Sequence, residues 1–170
     1  EKKLANYKKE NQLIDTGDVK GLKIKEIESI SSRILEAKKN SQKLQNDLLS
    51  IKVADGNVDD LLSIEELRSA KDISVIQESL SANENQIQSL SLIYTDKHPK
   101  LVKANEYHQK LKDQLKEKIN ISIQQKAFEL GNMEHFIKMS EDELKEATNE
   151  LRVIEEKESG MMKFAREVES

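Results

Sequence analysis

Three histidines, His98, His108 and His135, are the side chains best suited to bind a metal or move a proton near neutral pH. No two of them stand four residues apart, the spacing that sets two ligands on one helical face. No cysteine is present to supply a thiolate, and its absence fits an oxidising or a reducing compartment equally. The chain also lacks GxxxxGK[ST], HExxH, GxSxG and any glycine-rich phosphate loop. Carboxylates abound, but they alternate with lysines in helical patterns and form a solvated face, with none paired in an apolar setting that would tune one for acid–base work. The expectation is therefore no catalytic residue, no cofactor-binding residue, no metal ligand, no cofactor and no enzymatic activity in this segment. His98 reads instead as the residue forced extended before Pro99, and His108 as part of an apolar seam. Met161 and Met162 read as adaptable packing.

That seam is the strongest signal in the chain. Ile27, Ile30, Ile34, Ala37, Ser41, Leu44, Leu48 and Ile51 recur in steps of three and four, the heptad pattern of a coiled coil. A second run passes through Ile73, Ile76, Leu80, Asn83, Ile87, Leu90 and Tyr94, and counting on by three and four reaches Lys97, Leu101, Ala104, His108, Leu111 and Leu115. The spacing then slips to fours through Ile119, Ile123 and Ala127, a stutter. A last run follows from Ile137 through Ser140, Leu144, Ala147, Leu151 and Ile154 to Glu158, Met161, Ala165 and Val168. The polar seam members Ser41, Asn83 and Ser140 would cost stability but specify register.

Breaks in the pattern set the expected boundaries. Leu4, Tyr7, Asn11 and Ile14 form a helical stripe over 1–15 that meets Asp15-Thr16-Gly17, where Gly17 suits a left-handed helix end. A helix is expected over 23–52, then a tip or turn over 53–62 containing Asp55-Gly56-Asn57. Ser63 with Glu66 has the spacing of a capping box, with Leu62 and Leu67 as its staple, and opens a long helix over 63–130. Pro99, the only proline, is either a turn or a kink at 98–99; because the register passes through it unbroken, a kinked continuous helix is expected. A final helix is expected over 133–170. Gly131-Asn132, with a second possible capping box at Ser140 to Glu143, allows a reversal near 131–139.

Composition agrees with this all-α reading of elongated antiparallel coiled-coil helices. Of 170 residues, 36% are hydrophobic, 35% charged and 4% aromatic, too little for a thick core. The 28 basic and 32 acidic side chains are interspersed, so no basic stripe is available for nucleic acid. No apolar run approaches the length of a membrane span. The chain begins at Glu1 and ends at Ser170 within helical patterns, and is expected to be a piece of a longer protein. With Ile27 as position a, Arg33 and Lys38 flank the first seam, with Asp47 as an exception; with Ile137 as a, Glu141, Glu143, Glu150 and Glu155 flank the last. Opposite charges at these flanks are expected to pair 24–52 with 137–168.

Three stretches carry a family resemblance: LANYKKENQLIDT (4–16), LSLIYTDKHPKLVKA (90–104) and FAREVES (164–170). In order and spacing they resemble the periplasmic coiled-coil region of bacterial polysaccharide chain-length determinants, or polysaccharide co-polymerases, of the exopolysaccharide-transport, GumC-like type. Tyr94-xxx-His98-Pro99 and Arg166-Glu167-Val168-Glu169 are its more specific parts. The resemblance implies a non-catalytic, homo-oligomeric scaffold anchored in the bacterial inner membrane by segments outside this piece. Its partners would be a polysaccharide polymerase and an outer-membrane export channel, and some relatives carry a cytoplasmic tyrosine-kinase domain. The alternatives are a coiled-coil hairpin of a membrane-fusion adaptor in a secretion or efflux system, and a cytoplasmic coiled-coil arm such as that of a DNA-repair ATPase.

Overall fold

The computed structural model describes residues 2–10 and 16–169. Among the described residues, six helices occur in chain order: α1 (Lys2–Glu10), α2 (Thr16–Ala54), α3 (Val58–Leu62), α4 (Glu65–Arg68), α5 (Lys71–Ser91) and α6 (Pro99–Glu169). Among the described residues there is no strand, and the fold is all-α, with long helices packed antiparallel. The chain divides into two compact units, 1–41 with 132–170, and 42–131.

The first unit is a two-helix seam with α1 against it. Ile30, Ile34, Ala37 and Ser41 of α2 are buried, as are Ser140 and Ala147 of α6. The expected basic-to-acidic flank pairing is present here: Arg33 meets Glu143 at 3.5 Å and Lys38 meets Glu141 at 2.6 Å. Towards the start of α2, Lys23 reaches Glu150 at 2.5 Å and Lys20 reaches Glu158 at 3.0 Å. The pairs run in opposite chain directions, which fixes the helices as antiparallel. From α1, Tyr7 stacks on Phe164 with ring centres 4.7 Å apart.

The second unit has a broader core. Ala54, Leu61, Leu67, Ile73, Leu115 and Ile119 form one buried cluster drawn from α2, α3, α4, α5 and α6. Residues 42–52 therefore pack beside the early part of α6 and not against 137–168, and Asp47 finds Lys126 at 3.3 Å, both side chains only 14% exposed. Lys126 explains a second departure. The seam expected at Ala127 passes instead through Lys126, whose side chain is 14% exposed with its ammonium on the Asp47 carboxylate, while Ala127 is exposed.

Several boundary expectations are corrected. Pro99 neither kinks a helix nor interrupts one: it is the first residue of α6, after a seven-residue reversal over 92–98. At that position a missing N–H costs nothing, since the first turn of a helix has no intrahelical acceptor for it, and the fixed φ of proline suits helix entry. The heptad count ran through the reversal because Leu90, the last seam residue of α5, and Leu101, the first of α6, stand eleven residues apart, a 4-3-4 step that a continuous helix would also show. Gly131 lies inside α6 with open space around it, so the helix is continuous from 99 to 169 and the expected break and reversal there are absent. One glycine costs about 1 kcal/mol, too little to outweigh the seam on either side.

Ser63 does not open a helix. It ends α3, its hydroxyl donating to the Asp60 carbonyl at 2.6 Å, while Ile64 precedes α4 with no side-chain cap. The cap in this region is Asn57, whose side chain accepts from the Asp60 amide at 3.1 Å. Asp55 (φ 46°) and Gly56 (φ 79°) turn the chain out of α2 in the left-handed region. Ser140 and Glu143 lie within α6 and make no cap. Gly17 sits in the first turn of α2 and not at a left-handed helix end. The expected helix end near residue 15 falls among 11–15, outside the described residues.

Candidate interaction surface at the α5/α6 tip

The seven residues 92–98 form a built turn. The Leu90 carbonyl accepts from the amides of Ile93 (3.1 Å) and Tyr94 (2.9 Å), closing the end of α5, and the Thr95 carbonyl accepts from the His98 amide at 2.9 Å. The Tyr94 and His98 rings stack with centres 3.8 Å apart and planes 17° from parallel. His98 also caps α6: its Nδ1 accepts from the Lys100 amide at 3.2 Å, which places the ring proton on Nε2, and its carbonyl accepts from Leu101 and Val102. The Lys100 ammonium sits 5.7 Å from the centre of the Tyr94 ring, within cation–π range. Tyr94, His98 and Pro99, expected to mark a bend, instead hold a reversal.

Beneath the tip a polar contact ties the two arms together. Asn83 is 3% exposed; its Nδ2 donates to the Ala104 carbonyl at 3.2 Å and its Oδ1 lies 2.8 Å from His108 Nδ1. The Ala104 carbonyl accepts only, so the amide orientation follows from it, and Oδ1 then accepts the His108 Nδ1 proton. The expectation that Asn83 is a register device thus acquires a partner. A signal for this existed: Asn83 and His108 are both seam members and stand equally far in sequence from the Thr95-Asp96 turn. Ser41 and Ser140 are buried in the other unit, and His135 is exposed there, so the three histidines occupy three separate surroundings. Among the described residues, no group of three or more His, Asp and Glu side chains is placed to hold a metal ion.

The turn presents Leu92 and Ile93 to solvent, 85% and 74% exposed. In sequence, 90–104 carries Lys97, Lys100 and Lys103 against a single acid, Asp96. Sequence reasoning missed this apolar point because both residues were taken as the continuation of a helix.

Ion pairing sets the protonation of several flanks. The hydrogen bond with Glu150, followed by that with Glu26, holds Lys23 well above the ordinary lysine value. Lys20 is raised in the same direction, first by its hydrogen bond to Glu158. In the second unit Lys43 meets Glu66 at 3.1 Å, and that hydrogen bond, with one from its own backbone amide, holds Glu66 below the usual carboxylate value.

No family model, no curated protein and no solved structure matches the chain. Among the described residues, no helix is long and apolar enough to cross a membrane.

Proposed function

We propose that this chain is a non-catalytic scaffold region of an inner-membrane polysaccharide co-polymerase, a homo-oligomer whose coiled coil stands in the periplasm. In this reading it governs the chain length and export of a cell-surface polysaccharide, alongside a polymerase and an outer-membrane channel. The observation that carries the reading is the tip: the stretch 90–104, which holds one of the two more specific parts of the resemblance, forms a turn in which Tyr94, His98 and Pro99 each have a defined part. A motif with such individual duties is more informative than heptads, which any coiled coil shares.

The test is genetic. Deleting the gene that encodes the chain should shift the length distribution of a surface polysaccharide, or abolish its export, and complementation should restore it. Polymer of unchanged length and amount on gels would overturn the reading.

A further inference from the structure

The α5/α6 hairpin turns one seam inward and leaves a second stripe on each helix facing out. On α5, Lys71, Val75, Glu78 and Ala82 recur in steps of four and three, and all four are exposed. On α6, Tyr107, Lys110, Gln114 and Glu117 recur in the same steps and are exposed likewise. At 3.6 residues per turn, each stripe lies on the side of its helix away from the buried Ile73, Asn83, Leu111 and Leu115. The groove between α3 and the hairpin is lined by Gln77, Ser81, Lys112 and Lys116, so α3 lies over another face and leaves both stripes uncovered. Lys71, Glu78, Lys110 and Glu117 enter no ion pair among the described residues.

The two stripes match rung by rung. Within the hairpin Asp72 meets Lys118 at 3.8 Å, and Asn83 reaches Ala104 at 3.2 Å and His108 at 2.8 Å, so each step along α5 answers one step back along α6. By that register Lys71 stands level with Glu117, Val75 with Gln114, Glu78 with Lys110 and Ala82 with Tyr107, each to within about 3 Å. Lysine faces glutamate at two rungs, in opposite senses, and a small side chain faces an aromatic one at a third. These partners lie on opposite edges of one hairpin and cannot meet within it.

We infer that α5 of one copy of this chain packs against α6 of a neighbouring copy pointing the same way, Glu78 pairing with Lys110, Lys71 with Glu117, and Tyr107 lying over Ala82. The match needs no shift along the helix axis, which is the condition for copies that stand side by side on one membrane. Packing α5 on α5 between such copies would set Glu78 against Glu78, and α6 on α6 would set Lys110 against Lys110, so charge selects the mixed contact. Exposed pairs contribute little individually, and the contact therefore fixes partner and level more than strength. It joins two different surfaces, the heterologous arrangement that generates rings when the rotation closes. The inference rests on the homo-oligomer part of the functional reading. It can fail while the polymer-length assay succeeds, and the reverse.

The chain has no cysteine, so introduced thiols report on this contact without background. Ala82→Cys and Tyr107→Cys variants of the 170-residue chain, mixed in equal amounts and oxidised with copper phenanthroline, should yield a disulfide-linked dimer, and a chain carrying both changes a ladder of larger species. Gln114→Cys, about 10 Å off level, should not link to Ala82→Cys. Adding Glu78→Lys to the Ala82→Cys chain should lower linking in the mixture about fivefold, the most an exposed pair supports, and adding Lys110→Glu to the Tyr107→Cys chain should recover it. Circular dichroism checks that each variant keeps its helices. A mixture that stays unlinked, Gln114→Cys linking as readily as Tyr107→Cys, or linking that ignores the charge changes would each overturn the inference. So would a single variant that links to itself as readily as the mixture does, the mark of two like helices in contact.

Discussion

Asn83 shows how one polar side chain can decide between two outcomes. Replacing it with alanine leaves the His108 Nδ1–H without its acceptor and opens space in the seam, and should cost about 1–3 kcal/mol in urea unfolding. Asn83→Leu fills the space and should cost less, while loosening the register that the amide specifies. A leucine variant less stable than the alanine variant would mean the site has no room for an apolar side chain. Glu66 adds a pH-dependent contribution. Its folded value is depressed by Lys43, so the stabilisation is complete above the ordinary value of 4.5 and is lost as pH falls through the depressed one. Glu66→Gln should therefore lower the urea midpoint near neutral pH, and the deficit should shrink as pH falls through the depressed folded value. A deficit that does not change with pH would point to packing and not charge. The lysines run the other way: pairing at Lys20 and Lys23 stabilises the fold below the ordinary value of 10.5 and is lost as pH rises through their elevated folded values.

At the scale of elements, heptads were legible and their ends were not. Nearly every expected seam residue is buried or half-buried, from Ile30 through Leu115 to Ala147, because side-chain periodicity reports directly which face of a helix leaves water. Turns depend on local chemistry that several sequences satisfy equally. Ser63-xx-Glu66 has capping-box spacing, yet Asn57 captured the Asp60 amide three residues upstream and Glu66 went to Lys43. The reversal at 92–98 was hidden for an arithmetical reason: Leu90 and Leu101 stand eleven residues apart, in phase with both seams. With proline at the first helical position, Pro99→Ala should preserve the hairpin and lower stability by no more than about 1 kcal/mol, mostly by freeing the unfolded chain. Loss of the close approach between Asn83 and His108, monitored by nuclear Overhauser contacts, would contradict this. In the other unit the flank charges were legible before the helices were placed. Arg33→Glu with Lys38→Glu should lower the melting temperature in low salt, and adding Glu141→Lys with Glu143→Lys should recover part of the loss, each exposed pair contributing about 0–1 kcal/mol. If the two-site and four-site variants melt alike, the charges do not select the partner.

At the scale of the whole molecule the α5/α6 tip is the sharpest surface feature, with Leu92 and Ile93 85% and 74% exposed on a turn that Tyr94, His98 and Pro99 hold. On the proposed function, Tyr94→Ala should disturb the ring stack and the Lys100 contact, and so change polymer length while leaving protein abundance unaltered. Immunoblots paired with polysaccharide gels would check this; a normal ladder at normal abundance would make the stack purely architectural. The Asn83–Ala104–His108 tie has a consequence for how such proteins diverge. Everything beyond it, residues 84–103, is a self-contained extension whose base is registered independently of its length. Adding seven residues to each arm would carry the tip outward by about 10 Å with the base untouched, whereas seven in one arm would force a bulge. Reach can therefore evolve by paired duplication in discrete increments, and relatives should differ in this region by matched multiples of a heptad.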